Sequence, residues 1–316
     1  METILLIFNR FTPIILLLMI GKWISVKAFF APETISEIKK FVVNVTLPLI
    51  LFMSFFQMEI KRTFFWFIPL IITIEIALFL IGSSIHRRLS IKGEYFPFLI
   101  TGFEYGMIGV SLFGAAYGID QLGKIAIIDF GQELFVWFIY VALLSRKREG
   151  SADIKKLFKM FITSPVIIAI LSGISLNLLG FSKLLLQARL LEGIFSTINL
   201  VGNLTIPLIL IVIGYGIQLD REELKYSMQV ILIRFGILIP LALLINHFFI
   251  DGWLQLDSGF KAAMFTMLIL PPPFILTLFM DQSLAEERHR IDNTLTLHTI
   301  ATIALFILYY AINPLV

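Results

Sequence analysis

Residues 44–51 read Asn-Val-Thr-Leu-Pro-Leu-Ile-Leu, and residues 203–210 read Asn-Leu-Thr-Ile-Pro-Leu-Ile-Leu. The two octapeptides lie half a chain apart and agree at six of their eight positions. A second pair of matches points the same way, because Pro13 precedes Gly21 with the same spacing as Pro165 precedes Gly173. Two matches in the same order and at similar offsets indicate an internal repeat.

The composition is that of a membrane protein. Of the 316 residues, 58% are hydrophobic and 15% are charged, and the mean hydropathy is +0.93. An average soluble domain carries about 25% charged residues, so the composition argues against a water-soluble enzyme or a nucleic-acid-binding protein. The sequence has no cysteine, which excludes disulfides, thiol nucleophiles and cysteine metal sites. It also has no nucleotide-binding or hydrolase motif, so we expect neither an enzyme nor a bound cofactor or metal.

Apolar segments bounded by charged residues recur along the chain, each close to the roughly 20 residues that span a bilayer as a helix. They lack the alternating pattern of a barrel strand. The sequence therefore predicts an all-α polytopic membrane protein. Its ten predicted spans are roughly 3–25, 41–59, 64–85, 95–118, 124–145, 161–180, 190–218, 226–249, 260–280 and 293–313.

The repeat divides these spans into two halves of five, residues 1–148 and 161–316, joined by a hydrophilic connector at 149–160. Because five is odd, the second half must enter the membrane inverted relative to the first. Inverted repeats are typical of secondary transporters, which bind solutes near the membrane midplane. The side richer in Lys and Arg should be cytoplasmic. We therefore expect a multi-pass protein of the cell (cytoplasmic or inner) membrane with both termini outside.

The fourth span of each half is the least regular. Five glycines punctuate 101–118, and Leu270-Pro271-Pro272-Pro273-Phe274 interrupts the ninth span, where three prolines cannot continue a helix. For the glycines alone, close helix packing is an equal alternative. Together the two segments predict broken, crossing helices 4 and 9, whose free N-termini would attract an anionic group. The substrate-binding residues predicted here are Glu104, Tyr105, Gly106, Pro271, Pro272 and Pro273.

At these residues the chain resembles the auxin efflux carrier family, which includes the PIN-type carriers. The resemblance covers Asn44–Phe52, Asn203–Gly214, Gly102–Gly118, Asp129–Leu144 and Leu270–Phe279. It implies ten spans as an inverted repeat, with crossing helices 4 and 9. It also implies transport of organic anions, such as auxin or dicarboxylates, by an elevator-like movement of a crossover domain against a scaffold. A homodimer is compatible with the resemblance.

The chain departs from the family pattern at the predicted site. In the family the fourth span runs Asn-x-Gly-x-x-Gly-x-Pro, whereas here Glu104 replaces the asparagine and Ser111 the proline. An ionised glutamate would repel an organic anion, unless it is protonated or binds a cation. Two interpretations of Glu104 remain: a functional group, which we favour, or a carboxylate that only satisfies backbone amides freed by the break.

Span five carries a second acidic group. Asp129 and Glu133 are four residues apart and share one helix face, where like charges repel each other. A bound cation, a shared proton or a nearby arginine would relieve this repulsion. An equal alternative is that Glu133 reaches a water-filled cavity and only Asp129 is buried. Glu104, Asp129, Gln132 and Glu133 are therefore the candidates for coupling to Na⁺ or H⁺.

Further ionisable residues lie inside predicted spans, where they are costly. Glu75 is interpreted equally as a structural partner of a neighbouring helix or as part of a proton relay. For Arg234 we favour extension of the side chain toward the membrane interface over pairing with a buried acid. His298 shares a face with Thr302 and favours a hydrogen-bonded packing role over a pH sensor.

Polar residues also precede the prolines of spans two and seven. Asn44 precedes Pro48, while Asn203 and Thr205 precede Pro207. Since proline leaves a carbonyl one turn earlier unpaired, the asparagine side chains are expected to satisfy the backbone. Because these spans pack on the crossover in the family, Asn44, Asn203 and Thr205 are also substrate-site candidates.

The sequence therefore predicts a secondary transporter of a small organic anion or amphipathic carboxylic acid, with the solute and the lipid bilayer as partners and no nucleic acid. One alternative is a sodium- or proton-coupled symporter of the bile-acid type, whose architecture is shared. Another is a membrane ligand sensor that uses the same fold.

Overall fold

The computed structural model of the protein describes residues 2–89, 91–186, 188–218, 220–281 and 283–313. Within these ranges every regular element is a helix. The principal helices are α1 Glu2–Val26, α2 Pro32–Gln57, α3 Arg62–Leu89, α4 Phe96–Ile100, α5 at 105–117, α6 Ile119–Glu149, α7 Ile154–Ile162, α8 Pro165–Leu178, α9 Phe181–Leu186, α10 Glu192–Gly202, α11 Thr205–Gly216, α12 Leu224–Leu254, α13 Ser258–Ile269, α14 Ile275–Phe279 and α15 Ala285–Ile312. The sequence predicts that both chain termini lie outside the cytoplasm. Met1 and residues 314–316 are not among the described residues.

The helices have the length and composition of a polytopic membrane protein. Among the described residues, eight helical stretches are long and apolar enough to cross a membrane, or nine if α7 and α8 form one bent span. Helix α13 is apolar but shorter, because the chain stops being helical before the three prolines. All ten predicted spans contain helix, whereas their number as complete crossings remains a prediction.

The connector between the predicted halves is partly structured. Helix α7 begins inside it at Ile154, and the side chain of Asp153 accepts a hydrogen bond from the backbone N–H of Lys156 at 3.1 Å. Leu157 is buried while Phe158 is exposed. The chain then bends by 60° before Pro165, since a residue preceding proline is disfavoured in the helical conformation.

The proline of the first octapeptide also changes its helix locally. Pro48 has no N–H, and α2 contains a π-helical turn at Val42–Thr46 immediately before it. The turn closes with the N–H of Leu47 bonded to the carbonyl of Val42, five residues earlier. A π turn of this kind inserts one residue into the helix and changes which side chains face its neighbours.

We name two sets of packed helices, which a continuous cluster of buried apolar residues joins. In the scaffold group, α1 packs on α11, and α2 packs on α8 and α10. In the core group, α3 and α13 pack on α6, and α12 packs on α13 and α15. The repeated glycines explain the scaffold contacts: a Cβ at Gly21 would lie 2.1 Å from the carbonyl oxygen of Ile211 in α11, and one at Gly173 would lie 2.8 Å from that of Phe52 in α2. Each glycine thus permits the first helix of one half to approach the second helix of the other.

Candidate functional site

Both predicted helix breaks are present, and they contact each other. Helix α4 ends at Ile100 and α5 begins at residue 105, while α13 ends at Ile269 and α14 begins at Ile275. The N–H of Glu104 donates a hydrogen bond of 2.8 Å to the carbonyl of Pro271. We call the two non-helical segments, 101–104 and 270–274, the crossing.

Glycine is required at one point of the crossing. Gly102 has φ +78°, in the left-handed region, and a Cβ there would lie 2.5 Å from Cγ of Pro273. Any side chain would therefore strain the backbone and displace the neighbouring proline. Gly102 and Pro273 of the triple proline therefore pack directly against each other.

Arg234 in α12 holds the crossing together. Its guanidinium is fully buried and donates hydrogen bonds of 2.9 Å to the carbonyls of Leu99, Gly102 and Leu270. Glu75 completes the arrangement by accepting a bond of 2.8 Å from the N–H of Gly102. The predicted extension of Arg234 toward the interface is wrong, because carbonyls freed by the breaks need donors at this depth. Of the two interpretations of Glu75, the geometry supports the structural one.

The carbonyl at the end of α13 is satisfied by α15. The hydroxyl of Thr302 donates to the carbonyl of Ile269 at 2.7 Å, and Nδ1 of His298 lies 3.1 Å from the same hydroxyl. His298 also packs edge-on against Phe235. The expected packing role of His298 is confirmed.

The carboxylate of Glu104 accepts hydrogen bonds at the starts of two helices. One oxygen accepts a hydrogen bond of 2.7 Å from the N–H of Phe274, and the other accepts a longer bond of 3.4 Å from the N–H of Met107. Met107 lies in the first turn of α5, whereas Phe274 is the residue immediately before α14. The place where a solute anion was expected is therefore occupied by a carboxylate of the chain itself.

A cavity of about 320 Å³ lies between the crossing and the scaffold group. We call it the crossing cavity. Its predicted site residues are Glu104, Tyr105, Gly106, Gln132, Glu133 and Pro273. Pro271 and Pro272 are buried beside it and do not line it.

The acidic residues of α6 have different environments. Glu133 lines the cavity and accepts a hydrogen bond of 3.0 Å from the indole N–H of Trp137, and Gln132 donates to the carbonyl of Phe103. Asp129 lies one turn away with 1% of its surface exposed, and neither of its oxygens has a partner among the described residues. The geometry matches the alternative in which Glu133 reaches a cavity and Asp129 is buried.

The polar site candidates near the repeated prolines do not line the crossing cavity. Asn44 is exposed, and its amide donates to the carbonyl of Lys40 at 2.8 Å. Pro48 removes the helical donor for the carbonyl of Asn44 itself. The Asn44 side chain does not satisfy that carbonyl and bonds instead to the carbonyl of Lys40, one turn earlier. Asn203 lines a separate cavity of about 330 Å³. Thr205 is buried, and its hydroxyl has no partner among the described residues.

Sequence reasoning missed several lining residues. From α2 these are Lys39, Val43, Leu47 and Leu51, and their spacing of four residues marks the face that Asn44 does not share. Trp137 and Phe274 were also missed, and Nζ of Lys39 lies 5.8 Å from the centre of the Phe274 ring. A second cavity of about 380 Å³ shares Lys39, Met107, Phe274 and Leu278 with the first, so the two cavities are adjacent.

Within the described ranges, no group of three or more His, Cys, Asp or Glu side chains is placed to hold a metal ion. No family model and no curated protein matches the sequence.

Proposed function

We propose that the protein is a secondary membrane transporter of the auxin efflux carrier type, which moves a small amphipathic organic solute by elevator-type alternating access. One observation carries the proposal: two interrupted helices meet inside an apolar helical protein, and a cavity lies between them and α2 and α8. Non-helical backbone at membrane depth is tolerated where it is buried in protein or lines a cavity. Transporters place their binding sites at such breaks.

The proposed architecture is ten spans in two inverted halves. The matched positions of the two breaks support it, as do the reciprocal contacts of Gly21 with α11 and of Gly173 with α2. In this proposal the core group, which contains the crossing, moves relative to the scaffold group. The cavity lies at the boundary between them, where such movement would expose it alternately to the two sides.

The apolar part of the solute would contact the apolar residues of the cavity lining, which include Val43, Leu47, Leu51 and Val136. The family resemblance implies an organic anion or an amphipathic carboxylic acid. The carboxylate of Glu104, which already accepts hydrogen bonds from both helix starts, opposes that charge.

A second candidate is a sodium- or proton-coupled symporter. The observation in its favour is Asp129, a buried carboxylate without a hydrogen-bond partner among the described residues. An isolated charge of this kind costs several kcal/mol or more unless it binds a cation or a proton.

Uptake into proteoliposomes tests both candidates. The purified protein is reconstituted and supplied with labelled organic acids, alcohols and amines at two pH values, with and without Na⁺. We expect saturable uptake and counterflow of at least one solute, which protein-free vesicles lack. Specific binding with no flux would contradict a transporter and favour the sensor alternative.

The coupling ion is tested with Asp129→Asn. In the symporter alternative, the stimulation of uptake by Na⁺ or by a proton gradient disappears in this variant. The matched control is Asp251→Asn, since Asp251 is exposed and, among the described residues, pairs with Lys261 at the surface. Unchanged ion dependence in Asp129→Asn would rule out Asp129 as the coupling group.

A further inference from the structure

The position where the broken helices would bind an anion is already occupied. Glu104 accepts hydrogen bonds from the N–H of Phe274, immediately before α14, and from the N–H of Met107, in the first turn of α5, so these two donors are bonded without a ligand. The favourable interaction of a helix N-terminus with negative charge is thus taken up inside the chain. An organic anion entering the cavity would have to displace this carboxylate.

The charges around the crossing cavity are mainly negative. Glu104 and Glu133 both line it and are partly exposed to it. Asp129 lies behind them, close enough to interact electrostatically with both. Among the lining residues the opposing charge is Lys39, which belongs to α2 on the scaffold side.

Aromatic rings and unpaired acceptors complete the lining. Phe103, Tyr105, Trp137 and Phe274 line the cavity together with the carboxylates. Rings of this kind attract cations through their faces, and Arg234 already lies over Phe103 as Lys39 does over Phe274. The amide oxygen of Gln132, which is 3% exposed, and the hydroxyl of Tyr105, which is 2% exposed, have no partner among the described residues. Both residues line the crossing cavity, but these two atoms are themselves buried, so they would accept a hydrogen bond from an ammonium group only after a change of rotamer.

The chain itself provides an example of a cation at this place. The ammonium of Lys39 lies 5.8 Å from the centre of the Phe274 ring and within electrostatic range of Glu104. Lys39 extends from α2 in the scaffold group, whereas Glu133 belongs to α6 in the core group and Glu104 to the crossing, which is bonded to Arg234 of α12. A movement between the groups would therefore separate Lys39 from the acids and leave them free for another cation.

We infer that the solute of the crossing cavity carries an ammonium group on an apolar or aromatic body, and that Glu104 and Glu133 are its charge partners. The inference rests on the proposed function, because it takes this cavity as the transport site. It replaces the organic acid implied by the family resemblance with an amine of similar size. The carboxylates bind the ammonium, and the rings and aliphatic side chains bind the body.

Three probes that share a phenyl ring on a two-carbon chain and differ in their polar end test the inference: 2-phenylethylammonium, 2-phenylethanol and phenylacetate. Binding to the full-length protein in detergent is measured by calorimetry at neutral pH. We expect the ammonium compound to bind at least about tenfold more tightly than the other two, as one charge-assisted hydrogen bond provides. Tighter binding of phenylacetate, equal binding of all three probes, or binding of none of them would overturn the inference.

Variants identify the partners. Glu104→Gln and Glu133→Gln should each weaken binding of the ammonium probe about tenfold and leave 2-phenylethanol unchanged, while the exposed control Glu286→Gln should change neither. Glu104→Gln keeps an oxygen that can cap one helix, and Glu133→Gln provides a second variant outside the crossing in case the first unfolds. Full retention of ammonium binding in both variants would contradict the assignment.

Lys39→Gln should have opposite effects on the binding of a cationic and of an anionic solute. If the solute is an amine, removing the competing ammonium should tighten binding of 2-phenylethylammonium. If the solute is an anion, the same change removes its nearest positive charge and should weaken binding of phenylacetate. Loss of amine binding in Lys39→Gln would overturn the inference. Amine binding without uptake into vesicles would instead contradict the transporter proposal and leave the charge assignment standing.

Discussion

At the scale of single residues, the crossing depends on side chains that serve the backbone. Arg234 donates to three carbonyls, Glu75 accepts from one amide, and Glu104 accepts from two. Ionisable groups inside a membrane are rare because they are costly. Here the breaks supply polar partners that offset this cost. The charged side chains and the helix breaks therefore depend on each other. Without the side chains the freed backbone groups lack hydrogen-bond partners, and without the breaks the side chains lack them.

Replacing Arg234 by methionine tests this dependence. The change preserves much of the aliphatic volume but leaves three buried carbonyls without donors, each costing about 1–3 kcal/mol. We expect the free energy of unfolding to fall by at least about 3 kcal/mol, seen as a lower thermal midpoint in detergent. The control is Arg87→Met at the exposed end of α3. Equal midpoints for the two variants would show that Arg234 does not hold the crossing.

At the scale of elements, the helix breaks are produced by proline on one side and by glycine on the other. Three prolines end α13, and Gly102 allows the facing chain to approach Pro273. The two segments then form a direct backbone hydrogen bond between Glu104 and Pro271. The broken elements are complementary in shape as well as in hydrogen bonding.

The close approach predicts a strong difference between two glycines. Gly102→Ala places a Cβ in a left-handed backbone conformation and against Pro273, so it should destabilise the protein by about 1–3 kcal/mol and abolish uptake. In Gly236→Ala a Cβ meets nothing within 4 Å inside α12, and the change should stabilise the helix by about 0.5–1 kcal/mol. Thermal midpoints and uptake of both variants check this. Normal uptake by Gly102→Ala would contradict the role of the close contact.

At the scale of the whole molecule, the scaffold and core groups meet along the crossing cavity and also near the ends of α2 and α6. A Cβ at Gly123 in α6 would lie 3.2 Å from Cβ of Met58, which follows α2. This distance is close to that of a disulfide, about 3.5–4.5 Å. Because the sequence has no cysteine, an introduced pair has no competing thiol.

The double variant Met58→Cys/Gly123→Cys tests the proposed movement. Oxidation should stop uptake by fixing the two groups together, and a reductant should restore it. The control is Ile50→Cys/Gly202→Cys within the scaffold group, where a Cβ at Gly202 would lie 3.4 Å from that of Ile50; its oxidation should leave uptake unchanged. Full uptake by a completely cross-linked Met58/Gly123 pair would contradict an elevator movement.

The sequence by itself determined the helical membrane class, the approximate positions of the helices and the two breaks. These follow from local physics: apolar segments of sufficient length need internally bonded backbones, and consecutive prolines cannot continue a helix. It also indicated Glu104 and the acidic face of α6, since charges are conspicuous among apolar residues.

Only the tertiary structure decided what these groups contact. It buried Arg234 against three carbonyls, excluded Asn44 and Asn203 from the crossing cavity, and added Lys39, Trp137 and Phe274. The π turn before Pro48 changes which face of α2 meets the core group, and a spacing rule cannot anticipate such a shift. Partners far apart in sequence, such as Glu104 and Phe274, are brought together by packing of the two halves. The proposed charge of the solute therefore rests on a contact that no local pattern encodes.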